Sequence, residues 1–264
     1  MGMERIALLG STLFYLFGFG HTLYALGAGR FQPGRFNVAA VALGACAQGW
    51  YLAMVGAASH ACPIRTLSEM LIFLGWSIAL IYLLVGPAYR LSLMGAFTAP
   101  LVLLLQLVAI VLPGESRHLI PPANSWVEMH AAVSLVAFGA LGLACVSGIM
   151  FLVQEAQLKS RRPTTIFHHL PPISVLLQAV QRLLWTGFLL LTFSFVAGWQ
   201  ARLSIAGAKY WFSLLIWFLY AFLLIGSTMG RINGRRRAQG AAFTFLLALV
   251  LLPVIRYFSV ITNH

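Results

Sequence analysis

Long runs of apolar residues alternate along the whole chain with short segments that hold proline, glycine and basic residues. Eight of these runs reach the length of about 20 residues that a helix needs to cross the hydrocarbon core of a bilayer. Strand-like alternation is absent, and helices satisfy their own backbone hydrogen bonds in lipid. The pattern predicts an all-α, polytopic transmembrane helical bundle with about eight spans. The predicted spans cover residues 6–27, 36–58, 67–85, 91–112, 127–153, 184–201, 210–229 and 241–260.

The composition supports a membrane protein and excludes several kinds of chemistry. Of the 264 residues, 61% are hydrophobic and 8% are charged, whereas soluble domains carry roughly 25% charged residues. The chain has no aspartate, which excludes Ser-His-Asp catalysis, aspartate-based magnesium sites and aspartyl phosphorylation. No internal repeat or second domain is visible, so residues 1–264 are predicted to form a single integral membrane domain.

The basic residues predict the orientation of the bundle. The net charge is +12, but the positive side chains lie in short loops between apolar runs, so no nucleic-acid partner is expected. Of the 17 Lys and Arg residues, 11 fall in the loops after spans one, three, five and seven, and 6 fall on the other side. The positive-inside rule places the richer side in the cytoplasm. Both termini are therefore predicted to lie outside, in a multi-pass protein of the cell inner (plasma) membrane.

The longest predicted cytoplasmic loop covers residues 155–182. Its second part, 172–182, has apolar residues on one side and Gln178, Gln181 and Arg182 on the other. This pattern is typical of an amphipathic helix that lies in the membrane interface. We expect a short helix there, separate from the sixth span.

Few ionisable residues lie at membrane depth, and those that do are functional candidates because their burial is costly. Glu69 opens the third span, where an acidic side chain could instead complement the helix dipole. His130 opens the fifth span after Trp126, and imidazole is a common ligand of haem iron. Trp76, Trp126, Trp199 and Trp211 concentrate on the same predicted outer side. They could form an ordinary aromatic belt or a face that holds a flat macrocycle.

Several stretches together resemble the cytochrome c assembly protein family, the haem-handling membrane proteins of the CcsA/CcmC type. The resemblance is greatest to the HemX/YpjD-like branch and covers about residues 63–264. It is carried by the order and spacing of the motifs at 63–76 (PIRTLSEMLIFLGW), 126–130 (WVEMH), 153–159 (VQEAQLK), 170–198, 217–221 (WFLYA), 230–238 (GRINGRRRA) and 257–260.

The resemblance implies a non-enzymatic protein that binds or presents haem, of the b type and without a covalent bond. It implies His130 as the iron ligand, with His264, or failing that His118, opposite to it. The other implied contacts of the macrocycle are Trp126, Trp199, Trp211, Lys209, Glu69 and Trp76. Membrane lipid and either other cytochrome assembly membrane proteins or an apocytochrome are the implied partners.

The sequence also departs from the family pattern. The loop between Trp199 and Trp211 lacks the Trp-Asp-Pro-Lys ending of family members that export or present haem, and Ile225 stands where a histidine is expected. An alternative function therefore stays open. In it, the chain is a non-haem scaffold or accessory subunit of an assembly or tetrapyrrole-pathway complex.

Overall fold

The structure is a computed structural model that describes residues 3–28, 35–85, 94–112, 124–160, 171–202 and 208–261. Within these ranges the chain forms eight α-helices and no strand, and all eight are long and apolar enough to cross a membrane. The predicted transmembrane helical bundle is thus confirmed. The helices are α1 (Met3–Gly27), α2 (Arg35–Ser59), α3 (Leu67–Val85), α4 (Met94–Val111), α5 (Ser125–Ser160), α6 (Ile173–Gln200), α7 (Ala208–Thr228) and α8 (Gly234–Ile261).

The prediction of a separate interfacial helix at residues 172–182 is wrong. Those residues are the first turns of α6, which continues without a break to Gln200. The carbonyl of Pro172 accepts the backbone N–H groups of Val175 and Leu176 at 2.9 and 3.1 Å, which starts the helix. No proline or glycine follows before Gly187, so nothing ends the amphipathic part before the apolar part begins. Leu176 is fully buried there rather than lying on the interface.

The predicted loop 155–182 is correspondingly shorter at both ends. Helix α5 extends past Glu155 to Ser160. An ion pair one turn apart supports this extension, since Lys159 Nζ lies 2.8 Å from Glu155 Oε1. Arg235, in the first turn of α8, lies 3.7 Å from the other oxygen of Glu155. The arginine run at 235–237 is therefore joined to α5 as well as being a basic anchor.

Helix α5 is the centre of the bundle and packs against α3, α6 and α8. Small residues allow these close approaches, as is common between helices in membranes. A Cβ atom on Gly187 of α6 would lie 2.5 Å from Leu141 Cγ of α5, and one on Gly148 of α5 would lie 2.9 Å from the Ala238 carbonyl oxygen of α8. The α5–α6 contact is the most extensive one in the bundle, and it positions the site described below.

Buried amides fasten the first four helices to one another. Gln48 of α2 accepts a 2.8 Å hydrogen bond from the hydroxyl of Tyr15 in α1 and donates one of 2.9 Å to the Ile72 carbonyl of α3. Gln106 of α4 donates to the Leu8 carbonyl of α1 at 2.9 Å. Because an unpaired amide is costly in an apolar interior, these bonds specify one arrangement of the four helices.

Candidate functional site

Helix α3 begins with a local cap that buries Glu69. The Glu69 N–H donates to Thr66 Oγ1 at 3.2 Å, and the Glu69 carboxylate accepts the backbone N–H of Arg65 at 2.9 Å. This reciprocal arrangement is close to a capping box. Only 2% of Glu69 is exposed. The structure therefore places Glu69 in the helix-capping role that the sequence offered as the alternative to a haem contact.

Glu128, in the first turn of α5, ties the loop before α3 to α5. One carboxylate oxygen accepts the backbone N–H of Cys62 at 3.2 Å, and the other lies 3.6 Å from the Arg65 guanidinium. Burial, with the charges of Glu128 and Glu69 as smaller causes, raises the pKa of the Cys62 thiol above its ordinary value. The Glu128 contacts thus connect the N-terminal end of α5 to the residues just before α3.

His130 follows Glu128 by two residues, about half a turn along α5, and its side chain hydrogen-bonds to α6. Its Nδ1 lies 2.7 Å from the carbonyl oxygen of Ser194 and 3.0 Å from the Ser194 hydroxyl. The hydroxyls of Ser134 and Ser194 both donate to the His130 carbonyl, at 2.7 and 3.0 Å. The two serine oxygens also lie within hydrogen-bond distance of each other, so one hydroxyl can donate to the other instead of to the carbonyl. The imidazole is therefore held between α5 and α6 by a compact polar cluster.

The Ser194 carbonyl fixes the tautomer of a neutral His130. A carbonyl oxygen only accepts, so Nδ1 has to carry the proton that makes the 2.7 Å bond. The lone pair of the neutral ring is then on Nε2. An Nδ1–H bonded to a backbone carbonyl is the arrangement that orients histidine ligands of metals and raises their basicity. The Nδ1 contact thus leaves Nε2 as the ring nitrogen of His130 that can accept a bond.

His130 lines a cavity of about 240 Å³ between α3, α5, α6, α7 and α8. Most of the wall is apolar, and its aromatic residues are Phe138, Phe195 and Phe212. His130, Ser134 and Ser213 supply the polar groups. Pockets for drug-sized ligands usually measure about 300–1,000 Å³. This cavity therefore has room for part of a macrocycle.

The tryptophans predicted from the sequence do not line this cavity. Trp126, Trp199 and Trp211 are all exposed, and Trp199 is 77% exposed. Trp76 donates its indole N–H to the Ala45 carbonyl of α2 at 3.1 Å and packs beside Phe73. The structure therefore does not bring these four side chains together with His130 in this cavity, and their contact with a macrocycle stays a prediction.

Three further predicted contacts fall outside what the structure describes. His264 and His118 lie beyond the described residues. Lys209 is in the first turn of α7, but its side chain is not among those described. Among the described residues, no group of three His, Cys, Asp or Glu side chains is placed to hold a metal ion. His130 is thus the site residue that both the sequence and the geometry single out.

A family comparison agrees with this picture. Residues 64–262 match the model of the cytochrome C assembly protein family. The chain belongs to the cytochrome c assembly protein family. The matched residues are nearly those for which the sequence predicted the resemblance. With eight helices among its described residues that are long and apolar enough to cross a membrane, the chain is a multi-pass membrane protein of a cytochrome c biogenesis family.

Three curated relatives carry the name cytochrome c biogenesis protein CcsA. The protein from Chlorella vulgaris is 26% identical over 230 residues, which are 71% of this chain and 72% of that protein. The protein from Chlamydomonas reinhardtii is 27% identical over 204 residues, 70% of this chain and 55% of that protein. The protein from Synechococcus elongatus is 38% identical over 96 residues, 34% of this chain and 30% of that protein. The matches thus span between 30% and 72% of these relatives.

Sequence reasoning found His130 but missed the residues that surround it. Ser194 lies within the apolar run of α6, where a single serine is an ordinary core residue of a membrane helix. Phe138, Phe195 and Phe212 look like lipid-facing residues in a sequence that is 13% aromatic. Consecutive membrane helices run antiparallel, so the start of α5 lies beside the end of α6. This order could have placed Ser194 near His130.

Proposed function

We propose that this protein binds haem at the His130 cavity and presents it during cytochrome c assembly. The observation that carries the proposal is the Nδ1–H bond from His130 to the Ser194 carbonyl, which leaves Nε2 as a ligand atom. The family of the chain and the name of its relatives support cytochrome c biogenesis as the process. The haem would be of the b type, held by coordination and burial and not by a thioether bond.

The residues of the cavity fit the edge of a porphyrin. Its apolar and aromatic wall favours burial of a flat ring, and about 240 Å³ accommodates part of that ring. The rest of the macrocycle would lie against neighbouring surface or lipid. Arg65 is already paired with Glu128, so Arg202, exposed at the end of α6, is the better candidate to pair with a propionate. When bound, haem supplies the iron and its redox chemistry.

The work of this chain would be binding and orientation. His130 would hold the iron, the serine cluster would hold His130, and the apolar wall would exclude water from one edge of the ring. No covalent step is assigned to a side chain, so we propose a carrier and not an enzyme. The site would lie at the outer face of the cell inner membrane. Other cytochrome assembly membrane proteins or an apocytochrome would receive the haem there.

An absorption spectrum of the purified protein tests the proposal. Protein extracted from membranes and washed in detergent should keep a Soret band. His130→Ala should abolish or shift the Soret and α bands with nearly unchanged expression, because it removes an iron ligand without opening a large cavity. His168→Ala serves as the control and should leave the spectrum unchanged. A colourless wild-type protein with normal helicity would support the scaffold alternative instead.

A further inference from the structure

Basic side chains gather at the end of the bundle where α5 ends and α8 begins. Arg235, Arg236 and Arg237 lie in the first turn of α8. Arg231 lies in the turn before that helix, and Lys159 lies in the last turn of α5. Arg237 is half-buried and the others are exposed. These residues, here called the α8 basic patch, lie at the end of the bundle that is predicted to face the cytoplasm.

Acidic side chains at this end are too few to neutralise the α8 basic patch. Glu155 is the one acidic residue that the structure describes there, and its oxygens already lie 2.8 Å from Lys159 Nζ and 3.7 Å from Arg235 Nε. The Nε of Arg237 is buried and has no hydrogen-bond partner among the described residues. Cations in the first turn also lie at the positive end of the helix dipole, which is unfavourable. An anion at the patch would offset the excess of positive charge and accept the unmet hydrogen bond.

The α8 basic patch lies where lipid headgroups are expected. The membrane span of α8 covers Gly234–Val254, which is 21 residues. Its rise of about 32 Å matches the thickness of the hydrocarbon core, so the first turn of α8 reaches the headgroup region. Tight packing fixes this helix start, because a Cβ atom on Gly234 would lie 2.9 Å from Leu177 Cδ1 of α6 and 3.5 Å from Phe151 Cζ of α5. The arginines are therefore carried by a firmly packed helix at the membrane surface.

We propose that the α8 basic patch binds the phosphate of an anionic phospholipid. A lipid phosphate lies at the depth of the patch and brings the negative charge that the described side chains lack. A guanidinium donates to phosphate oxygens through a planar fork of N–H groups. Arg236 and Arg237, which do not pair with Glu155, are the members expected to hold the phosphate. This site is independent of haem and goes beyond the proposed function.

The ordinary alternative is that the α8 basic patch only sets the orientation of the chain during insertion. Its arginines would then stay hydrated, and the charge of the surrounding lipid would not affect the folded protein. Clusters of basic residues directly beside a membrane helix are, however, a common means of binding anionic headgroups. Arg5, at the start of α1, is an exposed arginine at the opposite end of the bundle. It therefore provides a matched control for the loss of one positive charge.

The experiment uses the full-length protein, purified in a neutral detergent and stripped of lipid. Phosphatidylglycerol and phosphatidylcholine with the same acyl chains are added separately, and native mass spectrometry measures the bound lipid. The wild type should prefer phosphatidylglycerol and melt at a higher temperature with it. Arg237→Gln should lower this preference about fivefold, and Arg237→Gln combined with Arg236→Gln about 30-fold. Arg5→Gln should match the wild type.

Several results would overturn the proposal. Equal binding of the two lipids by the wild type would leave the patch open to an acidic protein segment instead. A preference that Arg237→Gln retains, or that Arg5→Gln loses to the same extent, would remove the patch as the site. Inorganic phosphate that stabilises the wild type as much as phosphatidylglycerol would remove lipid as the source of the phosphate. If Arg237→Gln fails to fold, the wild type decides, because its preference should fall as salt is added and a salt-independent preference would contradict ion pairing.

Discussion

The close packing of α5 on α6 gives a sharp prediction for Gly187→Ala. A Cβ atom at this position would meet Leu141 Cγ at 2.5 Å, Leu141 Cδ2 at 2.6 Å and the Ala137 carbonyl oxygen at 3.1 Å. Leu141 is fully buried and the Ala137 oxygen belongs to the backbone, so neither can move aside freely. The two helices must therefore separate or rotate, or Leu141 must shift, until these contacts return to ordinary van der Waals distance.

The expected magnitude combines two opposing effects. Overpacking a well-packed core typically costs about 1–3 kcal/mol. Replacing a helical glycine by alanine gains about 1 kcal/mol. The net result should be a destabilisation of about 0–2 kcal/mol. A Cβ atom on Gly20 in α1 would meet no neighbouring side chain or helix within 4 Å, so Gly20→Ala should show the gain alone. The two variants should thus differ by about 1–3 kcal/mol.

Gly187→Ala should also disturb the His130–Ser194 hydrogen bond. Gly187 precedes Ser194 by seven residues and Ala137 follows His130 by seven, so the clash lies about 10 Å along the helices from the His130–Ser194 bond. Thermal unfolding in detergent measures the stability, and haem retention on washing measures the site. Gly187→Ala should lower both relative to Gly20→Ala. Equal melting temperatures for the two variants would refute the close approach of α5 and α6.

Three further predictions concern other parts of the chain. Leu176→Asp should reduce the amount of folded protein because Leu176 is fully buried. Ser174→Asp, at an exposed position of the same helix, should not. Equal abundance of the two variants would contradict the fold of α6. Cys62 should react with a membrane-impermeant thiol reagent in intact cells while a cysteine at Gln239 stays silent; the reverse would invert the topology. Because the Cys62 pKa is raised, the labelling rate should keep rising, about tenfold per pH unit, above the point where an ordinary thiol levels off. Glu128→Gln should lower that pKa and speed labelling at neutral pH; an unchanged pH profile would contradict the charge contribution.

The bundle could be predicted from the sequence because each span carries its own evidence. Apolar length sets the helix regardless of its neighbours, and the start of α3 at Thr66 and Glu69 carries its own capping signal. The break before α6 was misplaced because amphipathicity at Gln178 and Gln181 looks like an interface helix. Burial of Leu176 depends on the helices packed against α6, which local periodicity does not include.

The site was only partly predictable for a related reason. His130 stands out because a histidine is rare in an apolar sequence, but its partner is a backbone carbonyl, which every residue has. Ser194 becomes notable only when α5 and α6 meet. The tryptophans, predicted as contacts of the macrocycle, do not line the cavity, and that role stays a prediction. Exposure of Trp199 and Trp211 shows that they face outward.

The central claim, that His130 Nε2 is an iron ligand oriented by Ser194, is tested most directly by chemical rescue. His130→Gly removes the imidazole and leaves space for a free one. The variant, purified with hemin in detergent, should lose the wild-type Soret and α bands. Added imidazole should restore them in a saturable manner, and 2-methylimidazole, whose methyl group crowds the iron, should restore them poorly. Wild-type bands in His130→Gly before any imidazole is added would contradict the claim.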